Sequence, residues 1–123
     1  MFEIGKTATA TVVVTEANTA KTVGSGSLNV FSTPSMITLM EKAACNCIAD
    51  KLETGQTSVG TKVDINHTAA SALNTTITAT ATIDGVEGRK ISFIVKADDG
   101  VKEIGHGKHD RFIIDAEKFM SKL

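Results

Sequence analysis

Along residues 7–14, "TATATVVV", hydroxyl and apolar positions alternate: Thr7, Thr9 and Thr11 fall on one side of an extended chain, and Ala8, Ala10, Val12 and Val14 on the other. That period of two predicts a half-buried β-strand. A loop with "GSGS" at 24–27 and a short strand-like "LNVF" follow. The period then changes. Met36, Leu39, Met40, Ala43, Ala44, Cys47 and Ile48 recur at the i, i+3, i+4, i+7 spacing of a helix that buries one stripe, while Thr38, Lys42, Asn46 and Glu53 mark its wet face. Ser32 or Thr33 can cap its free amides, Pro34 suits its first turn, and Gly55 is expected to end it. The resulting rod is roughly 28 Å long.

Four more strand-like runs occupy 57–67, 75–84, 89–99 and 101–115, and the turns "GVEG" and "DDG" between the last three predict antiparallel neighbours. The closing "AEKFMSKL" has the pattern of a short amphipathic helix. One long apolar helix with about six antiparallel strands predicts an α+β architecture, a curled sheet wrapped around the helix. That is the outline of the hotdog fold. Such a sheet keeps an exposed edge, and pairing two sheets into a homodimer removes it.

With 123 residues the chain fits one domain, residues 1–123, with a single core. Thirteen basic residues oppose fourteen acidic ones and no block of like charge gathers, so no affinity for nucleic acid is expected. No stretch reaches the roughly 18 apolar residues of a membrane span. The N-terminus lacks the basic flank and apolar run of a signal peptide, and a soluble, cytoplasmic protein is expected. Cys45 and Cys47 lie two apart, which on a helix turns them about 200° from each other. They are read as small buried hydrophobes rather than a disulfide pair.

Glu41 falls about 40° from Ile37 and about 20° from Ile48 on the helical wheel, so it borders the buried face. Its neighbours at i±3 and i±4 are Ile37, Thr38, Ala44 and Cys45, none of which pairs with a carboxylate. Either it bends outward into water, or it is held in a cleft as a base or nucleophile. His67 ends a strand whose alternation places it with Val59, Thr61, Val63 and Ile65, as a core histidine or as a group that moves protons. Thr33 either caps the helix or turns its hydroxyl and the nearby amides toward a carbonyl where an oxyanion develops.

His106 and His109 have the form of an H-x-x-H metal pair, but an odd spacing on a strand sends them to opposite faces, so no metal site is expected. Arg111 is an ordinary surface base or the partner of a buried carboxylate. No G-x-S-x-G elbow, P-loop or H-E-x-x-H occurs, which removes several common enzyme classes.

The segments "FSTPSMITLMEKAAC" (31–45), "SVGTKVDINHTAAS" (58–71) and "VEGRKISFIVKADDGVKEIGHGKHDRFII" (86–114), with "AEKFMSKL", together resemble the fluoroacetyl-CoA thioesterase family of hotdog proteins. The resemblance implies that Thr33, Glu41 and His67 are the catalytic threonine, glutamate and histidine, with Gly60 and Arg111 shaping or supporting the substrate site. It also implies an acyl-CoA substrate, a homodimer with the site at its interface, and hydrolysis without a metal or redox cofactor. Two other functions share the fold: hydration of an enoyl-CoA, and acyl-CoA binding without turnover. The ordered threonine, glutamate and histidine favour the thioesterase.

Overall fold

The alternation at the N-terminus becomes strand β1 (Thr7–Val13), followed by a single helical turn α1 (Ala20–Val23) and the long helix α2 (Thr33–Ile48). Strands β2 (Gln56–His67), β3 (Thr76–Glu87), β4 (Lys90–Asp98) and β5 (Glu103–Asp115) come next, and α3 (Ala116–Ser121) closes the chain. In this computed structural model, which describes all 123 residues, the strands form one sheet in the order β1-β3-β4-β5-β2 with every neighbour antiparallel. The sheet curls around α2. No helix is long and apolar enough to cross a membrane.

Small side chains bring helix and sheet together. Ala43 and Ala44 of α2 and Ala79 and Ala81 of β3 are fully buried, and α2 lies chiefly over β1 and β3. Met36, Met40 and Ile48 of the stripe join Ile77, Ile83, Ile91, Phe93 and Val95 in one continuous apolar core. Full burial of each such large side chain is worth about 1.5–3 kcal/mol. Gly105 of β5 serves the same packing, because a Cβ there would come within 2.5 Å of Met36 Sδ. Cys47 is buried and Cys45 half-buried, both as free thiols, and burial pushes the Cys47 thiol above its ordinary pKa.

Four sequence expectations are corrected. The helix stops at Ile48 and passes into one 3₁₀ turn, Ala49–Lys51, so Gly55 does not end it; Gly55, at φ 86°, instead turns the chain into β2. The cause is Lys51, the next position on the centre of the buried stripe, whose ammonium cannot enter the core. The sheet has five strands, not six. "LNVF" makes only isolated bridges, Phe31 to Thr19 and Val30 to Ala72, and part of the preceding loop is helical. Last, β2 carries a bulge between Gly60 and Lys62. The extra residue, Thr61, inverts the alternation. Val59 pairs with exposed Phe112 on the convex face, whereas Ser58, Gly60, Val63, Ile65 and His67 share the concave face with Arg111, His109 and Gly105.

Because α2 leans toward β1 and β3, it makes less contact with β2, the strand at the other end of the sheet. The polar residues of the concave face lie between the two.

Candidate active site

The start of α2 divides its tasks between two adjacent hydroxyls. Ser32, 1% exposed, is the cap: its Oγ accepts from Ser35 N–H at 3.1 Å, and its carbonyl accepts from Met36 N–H at 3.0 Å. Thr33 is therefore relieved of capping. Its Oγ1 lies 2.7 Å from His67 Nδ1 at the end of β2, and the two are hydrogen-bonded. With those amides engaged and Pro34 lacking one, a single free donor remains at the helix start, the Thr33 N–H, rather than the several amides expected from sequence.

His67 is half-buried, and the chain offers its enclosed Nε2 no hydrogen-bond partner. Burial pushes its pKa below the ordinary histidine value, opposed in part by the Ala69 backbone. Beside the Thr33–His67 pair lies a cleft of about 270 Å³ whose walls include Ala20, Ser25, Val30, Phe31 and Ala69. These walls are small or apolar.

Glu41 stands two turns further along α2 in a second cluster. Arg111, 6% exposed, donates from Nη1 to Glu41 Oε2 at 3.1 Å, from Nε to Ser58 Oγ at 2.8 Å, and from Nη2 to the Ser58 carbonyl at 3.1 Å. Its forked contact is thus with Ser58, and it meets the carboxylate with one nitrogen. A further Nη1 contact reaches His109 Nε2 at 3.1 Å, and His109 Nδ1 donates to the Lys62 carbonyl at 2.8 Å. Gly60 lies directly over the carboxylate: a Cβ there would sit 2.5 Å from Glu41 Oε2, 3.1 Å from His109 Cε1 and 3.2 Å from Arg111 Nη1. The Glu41 side chain remains 38% exposed, so it is anchored at one edge and open at the other.

The five residues singled out in the sequence therefore form two groups within one chain: Thr33 with His67, and Glu41 with Gly60 and Arg111. Eight residues of helix place Glu41 about 12 Å along the axis from Thr33. Sequence reasoning missed Ser58 and His109. His109 precedes Arg111 by two on the same strand, and that period is the signal for it; its spacing from His106 carries none, because His106 faces the other way and bonds Glu103.

A curled antiparallel sheet around a central helix is the hotdog fold, and the solved structures that share it include a Thermus thermophilus member of the thioesterase superfamily (25% identical, TM-score 0.91, covering 99% of this chain and 90% of that one). The class is that of the hotdog thioesterases, enzymes that hydrolyse acyl-CoA thioesters. Residues 14–117 match the model of the fluoroacetyl-CoA-specific thioesterase family, and the chain belongs to that family. The fluoroacetyl-CoA thioesterase of Streptantibioticus cattleyicolor is 47% identical over 94 residues, 76% of this chain and 68% of that protein. A solved phenylalanine-to-alanine mutant of a fluoroacetyl-CoA-specific thioesterase, in complex with fluoroacetate and CoA, superposes with a TM-score of 0.90 at 39% identity, over 95% of this chain and 98% of that one.

The lowered pKa of His67 makes a stability test. The folded state holds this ring neutral, so the stabilisation tied to it is complete above the unfolded histidine pKa of about 6.5 and is lost as pH falls through the lower folded value. In urea denaturation across roughly pH 5 to 8, the stability advantage of wild type over His67→Gln is expected to shrink toward the acid end. An advantage independent of pH contradicts a neutral, enclosed His67.

Proposed function

We propose that this protein hydrolyses several short acyl-CoA thioesters to the carboxylate and free CoA, through Thr33, Glu41 and His67, as a cytoplasmic homodimer of one hotdog domain per chain. The observation that carries the reading is Glu41: a carboxylate fixed by a buried guanidinium yet 38% exposed at its other edge. Such a group is oriented without being neutralised by a full fork of hydrogen bonds. It either attacks the thioester carbonyl, expelling CoA and forming an anhydride that water then hydrolyses, or draws a proton from the attacking water. Thr33, through its hydroxyl and free N–H, faces the oxygen on which charge develops, and His67 moves the proton that the departing CoA sulfur needs. Gly60 lets the carboxylate and the acyl group approach the backbone, and Arg111 supports the carboxylate. Hydrolysis by these groups calls for no metal or redox cofactor.

The separation of the two groups supports the dimer. β2 borders both clusters and has one free edge. Val63, near its middle, points to the concave face yet is 42% exposed, as an apolar residue would be where a second chain is to cover it. An antiparallel pairing of two β2 strands centred near Val63 carries the His67 of each chain to the Ser58–Gly60 end of the other. The partner's Thr33 and His67 then approach Glu41, and one complete site forms at each end of the seam.

Three measurements test this reading. Glu41→Gln and His67→Ala are each expected to lower turnover at least about a hundredfold in a free-thiol assay while the fold survives, since general acid–base groups contribute about 10²–10⁴ in rate. Hydration of an enoyl-CoA without thiol release, or binding without turnover, refutes it. Light scattering at micromolar concentration is expected to give the mass of a dimer, and an active monomer contradicts the composite site.

Acyl selectivity is the third. Residues 18–29 contain no aromatic side chain, and Phe31, 1% exposed, is packed into the core. With no aromatic lid, the pocket distinguishes acyl groups by a methylene-sized fit worth about 1–3 kcal/mol. kcat/KM for acetyl-, fluoroacetyl-, propionyl- and butyryl-CoA should then differ by less than about a hundredfold, or roughly 2.7 kcal/mol. A thousandfold preference for fluoroacetyl-CoA over acetyl-CoA rules this pocket description out.

A further inference from the structure

His109 performs no step in the reading above, yet it is the most enclosed polar residue of the Glu41 cluster, 1% exposed. Its ring is constrained on three sides. The Lys62 carbonyl, 2.8 Å from Nδ1, can only accept, so Nδ1 carries the proton. Arg111 Nη1, 3.1 Å from Nε2, can only donate, so Nε2 presents its lone pair. Phe93 stacks on the ring at a centroid distance of 6.2 Å and an interplanar angle of 25°.

Nη1 of Arg111 bears two protons in the guanidinium plane. One is directed at Glu41 Oε2 and the other at His109 Nε2. Glu41 Oε2 and His109 Nε2 are 3.8 Å apart, too far for a direct hydrogen bond, so the histidine reaches the carboxylate only through the arginine. We infer that His109 is a positioning residue: by accepting a hydrogen bond from Nη1 it fixes, together with the Ser58 fork, the rotation of the Arg111 guanidinium and so the place of the Glu41 carboxylate. Its anchor, the Lys62 carbonyl, belongs to the residue just after the β2 bulge, so the ring also ties the bulged edge strand to the carboxylate. This inference rests on Glu41 being the reacting carboxylate.

Three variants separate positioning from mere support of the bulge. In His109→Gln the amide oxygen falls near the place of Nε2 and keeps an acceptor for Arg111. In His109→Asn the amide nitrogen falls near Nδ1 and keeps the donor to Lys62, and His109→Leu keeps neither. At saturating short acyl-CoA, His109→Gln is expected to retain kcat within about threefold, while the Asn and Leu variants lose at least about tenfold with KM little changed. An Asn variant as active as wild type, or more active than Gln, assigns His109 to the bulge and overturns the inference. Long-range ¹⁵N spectra of the unmodified enzyme add a test that no folding defect can disturb: they should show a protonated Nδ1 and a bare Nε2, and a protonated Nε2 overturns the inference. Glu41→Gln is assayed alongside. If it keeps native turnover, the Glu41 reading fails and this inference with it; if it is crippled while His109→Leu keeps native kcat, this inference alone fails.

Discussion

The guanidinium of Arg111 is the constraint on which the site depends. Burying such a group costs several kcal/mol unless its N–H groups are met by acceptors. Here they are met from three directions: Ser58 on the edge strand, Glu41 on the helix and His109 on its own strand. The same contacts that make burial tolerable therefore join β2, β5 and α2, and they hold a part-exposed carboxylate where helix and edge strand meet. Without that cation, a glutamate beside the apolar stripe of α2 would turn to water. Gly60 completes the arrangement by leaving room where a side chain would press on the carboxylate.

The asymmetric seating of α2 determines where chemistry is possible. Over β3 alanine meets alanine in full burial; toward β2 contacts with the helix are fewer, and serine, histidine and arginine replace the apolar residues. Ser32 matters here as much as the catalytic candidates. By capping the helix itself, it frees the neighbouring hydroxyl for His67.

Much of this was legible in the chain. The stripe from Met36 to Ile48, the strand alternation around Ala79 and Val95 and the placement of Glu41 beside the core follow from periodicity, which local geometry enforces. The bulge did not show, because a single extra residue leaves composition and turn signals unchanged while inverting the face of everything before it; Val59 was therefore placed inside and lies outside. The helix end does not read from sequence because Gly55 is a stronger local signal than the exclusion of Lys51 from the core, a tertiary constraint. The coupling of Thr33 to His67 and of Glu41 to Arg111 depends on contacts 34 and 70 residues apart, beyond the reach of any local pattern. Family resemblance supplied the residues, but not their division into two clusters.

Thr33 and Glu41 ride on one unbroken helix, so α2 acts as a ruler between them. Repacking beneath it, at Ala43 or Ala81 for instance, would shift or tilt both groups as a rigid unit and leave their spacing unchanged. The wall of the cleft beside Thr33 has no such ruler: in residues 18–31 the Thr19–Phe31 bridge is internal, and the segment is held to the body by the Val30–Ala72 bridge, the Phe31 N–H bond to the Ser71 carbonyl and the buried Phe31 side chain. A lineage of such enzymes can therefore change which acyl groups fit by altering this segment, while the distance between its reacting groups stays fixed by the pitch of the helix.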